Sequence, residues 1–180
     1  MNSQVLLVVA VLFASVSITN GEHIKAIRSQ RQFDSSCSLK YIKHGCYKDK
    51  SKPSLRTLKE LIFQDRYKGK TFSGQKISWK NWATYLPELV CRCAMAASKK
   101  GYVYFGIQFY GECWSSADAE SRFHMYGATN NCVNTDYNPC DDQASNEACA
   151  GANHSNYVYE IVKDFPDGSA TGPPIEPQEY

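Results

Sequence analysis

Tyr104, Gln108, Tyr110, Glu112 and Trp114 lie close together in the chain and mix aromatic faces with polar tips. In an extended backbone successive side chains alternate, so all five fall on one side, together with Tyr102. Aromatic rings stack on the C–H faces of sugars, and Gln and Glu accept hydrogen bonds from hydroxyls. The pattern predicts a carbohydrate-binding face. It also fits a second buried face, covered by Tyr157 and Tyr159 or by the region from Trp79 to Tyr85.

Other chemistry is sparse. There is no G-x-S-x-G elbow, no H-E-x-x-H and no phosphate-binding loop. His23, His44, His124 and His154 are scattered. The expectation is a non-enzymatic protein with no cofactor. Asp136, Asn138, Asp141, Asp142 and Glu147 supply oxygen ligands in a short span, but not at the spacing of a twelve-residue calcium loop. They read as an acidic, solvated loop, and no metal is expected. Asn153-His154-Ser155 is a glycosylation sequon and predicts a glycan at Asn153.

The eight cysteines are Cys37, Cys46, Cys91, Cys93, Cys113, Cys132, Cys140 and Cys149. An even number behind a secretory leader reads as disulfides, although counting alone leaves 105 pairings for eight cysteines. Zinc would want C-x₂₋₄-C knuckles, and the only close pair here is Cys91-Arg92-Cys93.

The formal net charge of +2 hides an asymmetry. Residues 38–80 carry twelve Lys/Arg against three Asp/Glu, and residues 101–180 carry two against twelve. Either the basic half meets a polyanion such as a sulfated glycan, or both halves merely solvate one fold. Export makes a nucleic-acid partner unexpected.

The elements that must position these groups start after a leader. Val5 to Val16 is an apolar run followed by small and polar residues, the layout of a signal peptide over residues 1–21. It is shorter than the roughly 20 residues needed to span a bilayer, and no second run follows, so no membrane span is expected. Residues 22–36 form a linker or propeptide. Arg28-Ser29-Gln30-Arg31 has the spacing of a processing site that would free Gln32.

Residues 37–162 form one domain. Leu58, Leu61 and Ile62 predict a short amphipathic helix over Arg56–Phe63. Lys68–Lys76 reads as loop. The clearest helix is Leu86–Lys100, with Pro87 in its first turn, lysines in its last and Gly101 as cap. A short turn of helix carrying Trp79, Trp82 and Tyr85 could precede it. Leu86, Val90, Cys93 and Ala97 share one face. Two residues apart on a helix is about 200° of rotation, so Cys91 and Cys93 point to different sides and should not bridge each other.

Tyr102–Ser116 reads as strand. Val103, Phe105, Ile107, Phe109 and Cys113 occupy its core face, which turns Cys113 toward the helix carrying Cys93. Ser115 to Ser155 is polar and loop-rich, Asn156–Val162 is a final strand, and residues 163–180 are an acidic tail rich in Pro and Gly, expected to be disordered.

The order of these motifs resembles the WSC domain, a small extracellular cysteine-rich module. Gly45-Cys46-Tyr47 and Arg56-Thr57-Leu58 look like its opening motifs. Cys91 and Cys93 stand on its helix. Gly101-Tyr102, Phe105-Gly106 and Glu112-Cys113 match its next motifs, and Cys132, Cys140, Cys149 and Val158-Tyr159 its end. The resemblance covers roughly residues 45–160. The departures are helix cysteines that do not share a face, a long insertion between Arg56 and Cys91, Ser115 where the family has a cysteine, and an extra Cys37.

The resemblance implies bridges Cys46–Cys132 and Cys140–Cys149, alongside Cys93–Cys113. Cys91, off the core face and without its usual family partner, then goes to Cys37. The resemblance also implies a secreted binding module with a carbohydrate or extracellular-matrix partner.

The expected fold is α+β: a small disulfide-rich domain with an antiparallel sheet, one main helix and long loops. Alternative roles are a processed defence or venom effector, or a structural protein of an extracellular or skeletal matrix.

Overall fold

The computed structural model describes residues 37–140 and 147–162. The expected leader (1–21), linker (22–36) and acidic tail (163–180), and the acids Asp141 and Asp142, lie outside the described residues.

The fold is α+β and rich in disulfides. Five antiparallel strands form the main sheet: β1 (Tyr41–Lys48), β2 (Glu60–Gln64), β3 (Tyr104–Gln108), β4 (Glu112–Ser115) and β7 (Ser155–Ile161). Their spatial order is β1-β7-β3-β4-β2. Two short strands, β5 (Cys132–Val133) and β6 (Ala150–Gly151), pair separately. One long helix, α1 (Trp82–Lys99), packs on one side of the main sheet. A single turn, α2 (Ala119–Arg122), lies on the other.

Helix α1 places Leu86, Val90, Cys93 and Ala97 in the core with no exposed surface. Phe105, Ile107, Cys113, Tyr157 and Tyr159 meet it from the sheet. Each large apolar side chain buried this way contributes about 1.5–3 kcal/mol. The helix ends in a Schellman motif: Tyr102 N–H reaches the Ala97 carbonyl at 3.0 Å and Gly101 N–H reaches Ser98 at 2.9 Å. Gly101 sits at φ 77°, which glycine adopts without strain.

The helix starts four residues before the expected Leu86. A 3₁₀ turn at Trp79–Asn81 leads into Trp82, which leaves Pro87 inside the helix. Pro87 has no N–H for the Ala83 carbonyl, a loss that costs about 3 kcal/mol in a helix interior. Burial of Trp82 and Tyr85 on the same turn offsets it.

The helix expected over Arg56–Phe63 is instead strand β2, paired with β4. The register shifts between Leu61 and Phe63, because Ile62 is an extra residue on the bulged strand. Leu61 therefore packs on one side of the sheet while Ile62 and Phe63 pack on the other. That bulge imitates the apolar spacing of a helix.

The single strand expected over Tyr102–Ser116 is a hairpin. Gln108 pairs with Glu112, and Phe109, Tyr110 and Gly111 form the turn. A three-residue connection keeps odd and even residues on their original sides. Phe105, Ile107 and Cys113 thus stay together in the core although Phe109 leaves it for the turn.

Four disulfides join these parts: Cys37–Cys91, Cys46–Cys132, Cys93–Cys113 and Cys140–Cys149. Tyr159 Oη accepts from the Cys149 N–H at 2.7 Å and donates to its carbonyl at 2.8 Å, so the last cysteine is anchored to strand β7. No helix among the described residues is long and apolar enough to cross a membrane.

Candidate functional site

The side of β3 and β4 away from α1 carries Tyr104, Gln108, Glu112 and Trp114, and it is covered. Gln108 is 3% exposed, and Glu112 and Trp114 are 8% exposed. The cover is neither of the two anticipated ones. Leu58 lies directly over Gly106, where a Cβ would stand 2.6 Å from the Leu58 Cδ1. Phe123, which follows α2, stacks on Tyr104 at 5.5 Å between ring centroids.

Two arginines close the polar part of that face. Arg56 lies over the Trp114 ring at 3.9 Å and donates to Gln108 Oε1 at 2.7 Å and to Asp49 Oδ2 at 3.0 Å. Asp49, itself buried, also accepts from Thr57 N–H and Gln108 Nε2. Trp114 Nε1 donates to Glu112 Oε2 at 2.9 Å, and Arg66 donates to Glu112 Oε1 at 2.7 Å. The polar tips of Gln108, Glu112 and Trp114 are all spent inside the protein. Burial, with Glu160 and Glu120 nearby, pushes the Tyr104 phenol up to about 12.

Tyr110 is different. Its ring lies 5.5 Å from Trp79 and 6.2 Å from Trp82, at one end of the sheet. Trp82 is buried, but Trp79 is 53% exposed and stacks on it at 5.6 Å. Tyr137, 49% exposed, stacks on Trp82 at 5.4 Å and donates its hydroxyl to the Trp79 carbonyl. The four rings form a cluster in which two exposed rings each stack on one buried indole.

The backbone here is held in an uncommon state. Phe109 (φ 46°), Tyr110 (φ 64°) and Tyr137 (φ 62°) are three of the four non-glycine residues with positive φ among those described. Bulky side chains avoid this region at a cost on the order of 1 kcal/mol each. Hydrogen bonds hold them there. Phe109 and Tyr110 N–H bond to the Ala152 and Gly151 carbonyls. Asn134 Oδ1 accepts from the Asp136 and Asn138 N–H groups and shapes the turn that presents Tyr137. Trp82 Nε1 donates to the Asn134 carbonyl at 2.9 Å, tying that turn to the helix.

Beside the cluster runs the loop between β2 and α1. Buried Gln64 fastens its near end, accepting from Arg66 and Tyr67 N–H and donating to the Tyr67 carbonyl. Ser73 N–H returns to the Gln64 carbonyl and Ile77 N–H to the Asp65 carbonyl. Asp65, fully buried, accepts from Tyr85 Oη at 2.7 Å and pairs with Arg92, both on α1. The loop is therefore a tongue fixed at both ends.

Asn153 is exposed in the turn before β7, its carbonyl accepting from Asn131. His44 pairs with Glu160 at 2.7 Å beside Tyr104. A cleft of about 250 Å³ runs past His44, Tyr47, Thr129 and Cys132. Among the described residues no three His, Cys, Asp or Glu converge as a metal site.

No family model matches the chain, and no curated protein matches it.

Of the five expected ligand residues, Gln108, Glu112 and Trp114 are buried under that cover, Tyr104 is half-buried against Phe123, and only Tyr110 reaches the exposed cluster. Trp79 and Tyr137 were not among them. The one sequence signal for Trp79 is its place between Lys76 and Lys80, polar company for a large aromatic ring. Tyr137 had none, since its turn depends on Asn134 bonding to later backbone groups.

Proposed function

We propose that this protein is a secreted, non-enzymatic binding module that takes carbohydrate on the cluster of Trp79, Tyr110 and Tyr137. One observation carries the reading: Tyr110 and Tyr137, both held at positive φ, converge on the Trp79–Trp82 stack, and Trp79 and Tyr137 are exposed. Strained backbone and exposed aromatic rings gathered in one place are typical of ligand sites. Trp79 and Tyr137 offer flat apolar faces for sugar C–H groups, with polar tips at their rims.

Four disulfides in so small a domain support an oxidising, extracellular setting, as does the leader-like run at residues 5–16. Exposure of Asn153 supports a glycan there, on a turn away from elements that a sugar chain would disturb. The bridges Cys46–Cys132, Cys93–Cys113 and Cys140–Cys149 support a divergent WSC-like module, with Cys37–Cys91 as its own addition.

A glycan array with the secreted protein and its Trp79→Ala variant tests the reading. Binding to at least one saccharide class, lost in the folded variant, is the expected result. Retention of binding by Trp79→Ala, or no saccharide bound at all, overturns it.

A further inference from the structure

Residues 66–80 carry Arg66, Lys68, Lys70, Lys76 and Lys80 and no acid. Arg66 is paired with Glu112. The four lysines are exposed, and among the described residues none forms an ion pair. Of the exposed lysines elsewhere, Lys59 pairs with Asp118 and Lys100 with Glu60 at 2.8 Å, while Lys48, Lys50, Lys52 and Lys99 likewise form no ion pair among the described residues; the tongue differs in carrying no acid along its length. The tongue is thus a stretch of uncompensated positive charge in a protein whose remaining surface carries both signs.

Its conformation is fixed rather than left to solvent. Gln64 and Asp65, both fully buried, spend their side chains and backbone on holding it, and Phe72 N–H closes an internal turn on the Gly69 carbonyl. A purely solvating loop would not require two buried polar residues to shape it. The same segment ends in Trp79, and Tyr67, 57% exposed, stands at its start. Charge and aromatic surface therefore occupy one continuous, rigid piece of chain. Such a combination suits a polymer with sugar faces and repeated anionic groups.

Building on the carbohydrate reading above, we infer that the ligand is an anionic polysaccharide, with Lys68, Lys70, Lys76 and Lys80 taking its sulfate or carboxylate groups while Trp79 stacks on a ring. The lysines supply charge without geometry, and Trp79 supplies the preference for sugar.

Calorimetry with four probes tests this: heparin, fully desulfated heparin of the same length, a neutral β-glucan oligosaccharide and a 20-base-pair DNA duplex. Heparin should bind most tightly, and its affinity should fall about tenfold or more between 50 and 300 mM salt as the anion contacts are screened. Lys68→Gln/Lys70→Gln should weaken heparin binding about tenfold and leave any neutral-glycan binding unchanged. Lys52→Gln/Lys99→Gln, equal in charge but off the tongue, should change it less than twofold. Equal loss in both double variants would mean bulk charge and overturn the inference. Equal affinity for heparin and the neutral β-glucan oligosaccharide would overturn it while leaving the carbohydrate reading intact. DNA bound as tightly as heparin, with no effect of Trp79→Ala on either, would replace the sugar polymer with a generic polyanion. No saccharide bound at all would remove both readings.

Discussion

The guanidinium of Arg56 lies 3.9 Å from the centre of the Trp114 ring and holds the buried carboxylate of Asp49 at 3.0 Å. This contact decides the fate of the aromatic face that the sequence presents so plainly. A ring free to stack on a ligand has no cation already seated on it, and Arg56 occupies that place while closing the hydrogen bonds of Gln108.

Removing the seal should cost stability, because Asp49 would remain buried with its strongest partner gone. Arg56→Ala is expected to destabilise the domain by about 3 kcal/mol, the scale for breaking a buried ion pair. Arg56→Lys should recover only part, since an ammonium cannot lie flat on Trp114 while serving both Asp49 and Gln108. Urea unfolding of the three proteins measures this. A loss below about 1 kcal/mol for Arg56→Ala would show that Asp49 is not dependent on it.

Tyr104 should titrate late. Its phenol is held at about 12 in the folded protein, chiefly by burial, against about 10 in an unfolded chain. A group whose pKa is raised on folding contributes stability fully below the unfolded value and loses it as pH rises through the folded one. Alkaline unfolding is therefore expected to steepen between about pH 10 and 12, and Tyr104→Phe should reduce that slope. Phenolate absorbance should show a late component that shrinks in Tyr104→Phe, the rest belonging to Tyr85 and Tyr102, whose phenols are also pushed up, Tyr85 by burial and Tyr102 by its hydrogen bond to Glu60.

Trp79 and Trp82 should separate function from folding. Trp82 is buried among helix residues, so Trp82→Ala should cost about 3–5 kcal/mol. Trp79→Ala forfeits the stack on Trp82, on the order of 1 kcal/mol. Thermal unfolding ranks the two, and a larger loss for Trp79→Ala would make it a core residue rather than a surface for ligand.

The bridges should rank by the chain they enclose. Cys37–Cys91 spans 54 residues and Cys140–Cys149 spans 9. Loop-closure entropy assigns about 4 kcal/mol to the first and about 3 kcal/mol to the second. Paired Cys→Ser variants tested by denaturant unfolding should show that order. Peptide mapping of the unreduced protein should recover all four pairs, and a Cys91–Cys93 peptide would contradict them.

Much of the core side of the fold was legible because it is local. Leu86, Val90, Cys93 and Ala97 fall on one face by helical spacing alone, and Gly101 marks the end of that helix by its backbone freedom. Phe105, Ile107 and Cys113 share a side by strand alternation, which survives even though the strand proves to be a hairpin. Boundaries were less legible. Nothing between Phe109 and Gly111 resembles an Asn-Gly turn, and the two aromatic residues are held at positive φ only by carbonyls of Gly151 and Ala152. The Ile62 bulge hid strand β2, since a two-versus-one mismatch belongs to a pair of strands and leaves no mark in one of them.

The sequence alone determined which side chains share a face of α1 and of the paired parts of β3 and β4, that the eight cysteines form a disulfide framework, and that the basic and aromatic residues of 66–80 lie on one segment. Tertiary structure alone decided which faces meet water. Leu58 reaches Gly106, and Arg56 reaches Trp114, across long stretches of chain, so burial of the Tyr104–Trp114 face is a property of docking and not of pattern. The exposed cluster of Trp79 and Tyr137 exists for the same reason: its two outer rings come from segments 58 residues apart and meet only on Trp82.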